Sequence, residues 1–213
     1  MGQHKSNFSI SIPTPRCHYM TEISSAEPER ERLRHLMKGS DPEELIHCLD
    51  PTSKHLLHGL ALTVGSAIGS SPPSREECLA AFTATSKTRL TAGARAWSKH
   101  SHRSQGDGQG DQDTRRLGWW GTPSGPVAGI NEKALALFEK VVDNATWKNI
   151  HWLPHRILVY EARVEEGYGM RWSQDLSVVE DGEYGSGEMK VPWTFRGFVE
   201  PMMENGHEVG WKH

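Results

Sequence analysis

The sequence predicts an α+β fold, in which a helical N-terminal half packs on a C-terminal antiparallel sheet of three to four strands connected as a meander. Three observations indicate this fold. In the first half, apolar residues recur every three or four positions, as on one face of a helix. Beyond residue 144 they alternate every second position, as in half-buried strands. Between the two halves, residues 104–129 are rich in Gly, Asp, Gln and Pro, which is typical of a linker.

Helix-start signals appear after an N-terminal arm. Residues 1–26 show no sustained period, so we expect them to be flexible or to become ordered on docking. Pro28 opens a short amphipathic helix that ends at Gly39. The pattern Ser40-Asp41-Pro42-Glu43 is a capping box for a second helix.

The next helices are predicted from the same kind of signal. Asp50-Pro51 opens a third helix, and its apolar spacing continues as far as Ile68. Ser74-Arg75-Glu76-Glu77 is another capping box, followed by an apolar stripe that reaches Trp97 in one helix or in two broken near Ser86. A further helix is predicted between Asn131 and Asn144.

The strands follow from the change of period. Runs of β-forming residues at 157–164, 168–173 and 193–200 predict three strands, with a long hairpin loop at 174–190.

The predicted domain organisation follows these boundaries. It consists of an arm (1–26), a helical region (27–103), a linker (104–129) and a helix with the sheet (130–213). The helical region and the sheet region are expected to form one cooperative domain, because the chain is of single-domain length.

Charge and cysteine content restrict the function classes. The formal net charge is -3 and the two signs are interspersed, so nucleic acid is predicted to be an improbable partner. Three widely spaced cysteines without a CxxC pair favour a reducing, cytoplasmic compartment. Neither GxGxxG nor GxxxxGK[ST] occurs in the chain, which argues against the two commonest phosphate-binding loops.

The N-terminus matches a lipidation pattern. The first six residues, MGQHKS, fit M-G-x-x-x-[ST], which allows a myristoyl group on Gly2. Membrane contact is predicted only with that modification, and a single acyl chain would anchor the protein weakly at the membrane periphery.

Three arginines are the candidate ligand-binding residues. Arg163, Arg171 and Arg196 lie on three successive predicted strands, and together they could hold a phosphate or carboxylate group. Trp172 is predicted to line the wall of such a pocket. The competing interpretation of the arginines is cross-strand pairing with glutamates on a solvated sheet face.

Candidate proton-transfer residues are Glu161, Glu200 and His207, because a histidine beside a carboxylate supplies a general base with an orienting partner. His151 and His155 have the spacing of an HxxxH zinc pair, but Pro154 between them disfavours the required helix. No metal site is therefore predicted.

These residues predict a small enzyme or ligand-binding protein whose pocket for an anionic small molecule lies between the sheet and the helices. Whether it is an enzyme is open, and so are its reaction, cofactor and oligomeric state. The alternative is a non-catalytic module that binds protein or RNA through the sheet face or the basic helix end at 99–103.

Overall fold

The computed structural model describes residues 12–38, 47–103, 118–178 and 191–202. Within these ranges five α-helices precede a four-stranded antiparallel sheet, and the predicted α+β fold is confirmed. The helices are α1 (Ala26–Leu36), α2 (Pro51–Leu57), α3 (Arg75–Thr83), α4 (Ala92–Arg103) and α5 (Val127–Val142). None of these helices is long and apolar enough to cross a membrane.

Helix starts agree well with the capping signals. The Asp50 carboxylate accepts hydrogen bonds from the backbone N–H groups of Thr52 and Ser53 at 2.9 and 3.1 Å. Ser74 and Glu77 form the predicted reciprocal capping box at the start of α3. The predicted box at Ser40-Asp41-Pro42-Glu43 lies outside the described residues.

Helix ends agree less well. The third predicted helix was expected to reach Ile68, but α2 ends at Leu57. The chain that follows runs along the first strand instead: the N–H groups of Ala61 and Ala67 donate to the carbonyls of Lys148 and Ile150 at 2.7 and 2.8 Å. Pairing with the sheet edge therefore replaces the helical hydrogen bonds that the apolar spacing favoured.

The apolar run after Ser74 forms two helices, the second of the two predicted arrangements. Thr85 and Thr91 pair as an isolated β-bridge between α3 and α4. The helix predicted from Asn131 begins earlier, at Val127, because Pro126 takes the N-cap position. The Asn131 amide instead ties α5 to this connection, since its oxygen accepts from the Thr91 N–H at 3.1 Å.

The sheet consists of β1 (Trp147–Leu153), β2 (Ile157–Arg163), β3 (Gly169–Asp175) and β4 (Thr194–Val199), hydrogen-bonded in chain order. β2, β3 and β4 correspond to the three predicted runs. The first strand, β1, was not among these runs. Its burial does not alternate cleanly, because the polar Asn149 is buried within it and its last two residues are exposed.

The two faces of the sheet differ in chemistry. One face packs on the helices through an aromatic core, in which the Phe82 ring lies 5.2 Å from that of Phe138 and 4.8 Å from that of Phe195. The other face carries Glu161 and Arg163, and both are buried.

A close helix contact fixes α4 on the core. A Cβ atom placed on Gly93 would lie 2.0 Å from the Phe82 ring, which neighbouring aromatic rings hold in place. Only glycine therefore fits at this position without a shift of α4 or the ring.

Gly93→Ala is expected to lower the free energy of unfolding by about 1–3 kcal/mol, because overpacking outweighs the better helix propensity of alanine. Urea denaturation measures the change. The matched control is Gly129→Ala in α5, where the nearest atom would lie 3.9 Å from the new Cβ. That change should raise stability by up to about 1 kcal/mol, and equal effects of the two substitutions would contradict the packing argument.

Candidate functional site

A buried carboxylate organises the sheet face opposite the helices. Glu161 in β2 is 3% exposed, and one of its oxygens accepts from Arg163 Nε at 2.5 Å. The other oxygen accepts from Nε of Arg171, the residue directly opposite Glu161 on β3. One carboxylate thus holds two guanidinium groups.

Arg163 is the interior partner of this pair. It is fully buried, and its Nη1 donates to the carbonyl oxygens of Gly167 and Glu200 at 2.5 and 2.8 Å. Gly169 lies opposite Arg163 on β3, where an added Cβ would come within 2.6 Å of Arg163 Cγ. The missing side chain at Gly169 leaves space for the arginine to cross β3 and reach the end of β4.

The charge state of Glu161 follows from its surroundings. Burial by itself raises the pKa of the carboxyl group, but the guanidinium groups of Arg163 and Arg171 outweigh burial and hold the pKa below its ordinary value. Glu161 is therefore ionised at neutral pH, and its charge fixes the direction of both arginine side chains.

Arg171 is the partner that reaches solvent, with 29% of its side chain exposed. His151, on β1, points to the same face one register step from Glu161, since Asn149 is the residue directly opposite that carboxylate. Burial lowers the pKa of His151, the Glu161 charge raises it and the Arg171 charge lowers it, with a net decrease. We call His151, Glu161 and Arg171 the polar sheet face.

A second constellation lies at the open edge of the sheet. A cleft of about 340 Å³ separates α4 from β4. Its basic lining residues are Arg95, Lys99, His100 and Arg196. The register of β3 and β4 shifts between Arg171 and Trp172, as in a β-bulge, and Arg196 is the extra residue at this shift. We call this space the edge cleft.

Glu200 joins the edge cleft to the core. Its Oε1 is hydrogen-bonded to His100 Nε2, and it also accepts from Trp120 Nε1 at 3.0 Å. Its backbone oxygen accepts from Arg163, as described above. A histidine beside Glu161 or Glu200 was predicted, with His207 as the candidate, and the structure places His100 beside Glu200. His207 lies outside the described residues.

The predicted arginine group is divided between two places. Arg163 and Arg171 meet at Glu161, whereas Arg196 lines the edge cleft. Trp172 is fully buried in the core, where its indole N–H donates to the Cys78 carbonyl at 3.0 Å, and it lines neither place. The catalytic and binding roles assigned to these residues, and acylation of Gly2, which lies outside the described ranges, stay predictions.

Comparison with known proteins gives a match to a family of nucleases. Residues 81–179 match the family model of the CdiA C-terminal tRNase toxin domain. This span is just under half of the chain and contains α4, α5, β1, β2 and β3. It therefore includes every residue of the polar sheet face and ends before β4. No curated protein and no solved structure matches the chain.

This match corrects two predictions. The matched domain is a tRNase toxin, whose substrate is RNA, and by this finding the predicted function in binding an anionic small molecule is wrong. The prediction that nucleic acid is an improbable partner is also wrong, and the RNA-binding alternative agrees better with the match. The physical reason is that a net charge of -3, summed over the whole chain, conceals local clusters of cations such as the edge cleft.

Glu161→Gln should destabilise the fold by on the order of 3 kcal/mol at pH 7, because it leaves the buried Arg163 without its counter-charge. Urea denaturation measures the loss. The matched control is Asp143→Asn, which breaks the exposed pair of Arg75 and Asp143 and should shift the urea midpoint far less.

The same variant has an expected pH dependence. Because the folded-state pKa of Glu161 is lowered, its contribution is complete above the unfolded pKa of about 4.5 and is lost as pH falls through the folded value. The stability difference between wild type and Glu161→Gln should therefore shrink below pH 4.5. A difference that stays constant down to pH 3 would contradict the ion-pair assignment.

Proposed function

We propose that this protein is a ribonuclease that cleaves tRNA and that the polar sheet face carries its chemistry. The observation that carries the proposal is the match of residues 81–179 to a tRNase toxin domain, because that span contains His151, Glu161 and Arg171. The geometry supports it further, since an imidazole, a carboxylate and a partly exposed guanidinium lie on one face of the sheet.

RNA contains the nucleophile for its own cleavage. The 2′-oxygen attacks the adjacent phosphorus, the bond from phosphorus to the 5′-oxygen breaks, and the products end in a 2′,3′-cyclic phosphate and a 5′-hydroxyl. The reaction needs a base for the 2′-proton and a cation for the charge that develops on the phosphate oxygens. In this scheme the leaving 5′-oxygen takes its proton from solvent.

Arg171 is suited to be the cation that stabilises the charge on the phosphate oxygens. Its Nε is bonded to Glu161, which fixes the plane of the guanidinium while part of the side chain is exposed. A planar group held in this way can donate two hydrogen bonds to phosphate oxygens without further ordering. Glu161 acts as a positioning residue, because it is buried and its two oxygens already bind arginines.

His151 fits the base. Its lowered pKa keeps the imidazole neutral at pH 7, so the ring can accept the 2′-proton. The residue is half-buried.

The test is incubation of the purified protein with a tRNA pool and with the same RNA carrying 2′-O-methyl groups. Fragments with cyclic phosphate ends from the first substrate only are expected. Cleavage of the methylated RNA, or no cleavage of either, would reject the proposed reaction.

Arg171→Ala should reduce kcat/KM for tRNA cleavage by about 100-fold or more, because the developing charge loses its donor. Arg171→Lys should recover only part of the rate, since lysine lacks the planar pair of donors. Arg75→Ala, which removes an exposed guanidinium paired with Asp143, is the matched control and should leave the rate nearly unchanged. Gel-based initial rates make the comparison, and equal losses in both alanine variants would count against the assignment.

The pH dependence of cleavage should report His151. Because the pKa of this residue is lowered, the neutral base persists below the ordinary value of 6.5, and the acidic limb of kcat/KM should lie below that pH. His151→Ala should lose the limb together with most of the rate, whereas His35→Ala, on the exposed end of α1, should keep both. An unchanged acidic limb in His151→Ala would assign the base to another residue.

A further inference from the structure

We propose that the edge cleft between α4 and β4 is a second RNA-contacting site that binds the phosphate backbone and leads the strand to the polar sheet face. The inference rests on the proposed function, because it takes RNA as the ligand. It adds a binding site on β4, which lies beyond the span that matches the tRNase domain.

The cleft is lined by positively charged side chains. Arg95 and Lys99 lie one helical turn apart on α4, and Arg196 faces them from β4. All three are exposed, and none has an ion-pair partner among the residues that the structure describes. The carboxylate of Glu200 is bound by His100, which lines the cleft, and by Trp120.

These three cations of the cleft converge on one concavity without a carboxylate partner among the described residues, whereas many other arginines are paired with a carboxylate. Arg30, Arg32, Arg34, Arg75, Arg163 and Arg171 all have a carboxylate partner. A group of uncompensated cations around a concavity concentrates positive potential, and that potential favours a ligand with several negative charges. A phosphodiester chain has regularly spaced charges, and neutralising them releases counterions.

The shape and position of the cleft suit a single strand of RNA. Its volume of about 340 Å³ suits a short length of single strand, and the rings of Phe195 and Phe198 contribute apolar surface to its wall. Gly197, which lines the cleft, is the register partner of Arg171. Adjacent strands are about 5 Å apart, so a strand that leaves the cleft over the edge of β4 reaches the Arg171 guanidinium within one strand spacing.

The experiment measures binding without cleavage. Fluorescence anisotropy follows a labelled single-stranded RNA whose 2′-hydroxyls are all methylated, at several salt concentrations, with wild type and with the double variant Arg95→Ala/Lys99→Ala. The matched control is Lys87→Ala/Lys133→Ala, which removes two exposed charges outside the cleft. Circular dichroism verifies that the variants are folded.

The cleft variant should bind about tenfold or more weakly near physiological salt, and its slope of log K against log salt should fall by roughly two relative to wild type. The control should retain the wild-type slope. An unchanged slope in the cleft variant would overturn the proposal, even if the protein cleaves tRNA. Cleft-dependent binding without any tRNA cleavage would instead support the cleft and reject the ribonuclease reaction.

A further experiment distinguishes binding of the RNA backbone from binding of free phosphate. Inorganic phosphate at millimolar concentration is added to wild type and to the cleft variant, and the melting temperature is recorded. A cleft-dependent rise with phosphate, together with RNA binding that is equal in both proteins, would assign the cleft to a small phosphate ligand and overturn the RNA proposal.

Discussion

The arrangement of the sheet depends on the ion pair of Glu161 and Arg163, which lies in the interior at 2.5 Å. Such a pair is costly to bury, and partners for the remaining donors and acceptors offset part of that cost. Here the second carboxylate oxygen binds Arg171, and Nη1 of Arg163 donates to the backbone oxygens that follow β2 and β4, whereas its buried Nη2 has no hydrogen-bond partner among the described residues. The pair therefore ties β2, β3 and the end of β4 together, and it directs Arg171 toward solvent as a consequence of packing.

The two edge strands of the sheet differ in what lies beside them. The edge strand β1 is covered by residues 61–67, and Asn149 ties this segment to the sheet through Ser66 and Thr63 at 3.1 Å each. Behind this cover, Arg30 is fully buried and bonds Glu22, which in turn accepts from the Leu62 N–H at 2.7 Å. The segment between α2 and α3 thus protects one sheet edge from pairing with other chains. At the β4 edge, α4 lies beside the strand, and the residues of both elements line the edge cleft.

The fold could be predicted from the sequence because period and capping are local properties. The Asp50 cap and the box of Ser74 and Glu77 are contained within four residues. The run of β2 is rich in β-forming residues, and the runs of β3 and β4 alternate in the sequence. The pairing of Glu161 with Arg171 was also accessible, since cross-strand pairing was one of the two interpretations of the arginines. The burial of this pair could not be predicted, because a period of two shows which residues share a sheet face and does not show what covers that face.

The parts of the site that could not be predicted depend on contacts between distant residues. His100 and Glu200 are separated by 100 positions, and the cations at the end of α4 are equally well explained by the helix dipole when the sequence is read alone. The net charge led to the wrong prediction about nucleic acid for a related reason. The potential at a concave surface is set mainly by charges within a Debye length of about 8–10 Å, and Arg95, Lys99 and Arg196 line one cleft. The net charge of a chain therefore constrains its solubility, and the arrangement of charge around its cavities constrains its partners.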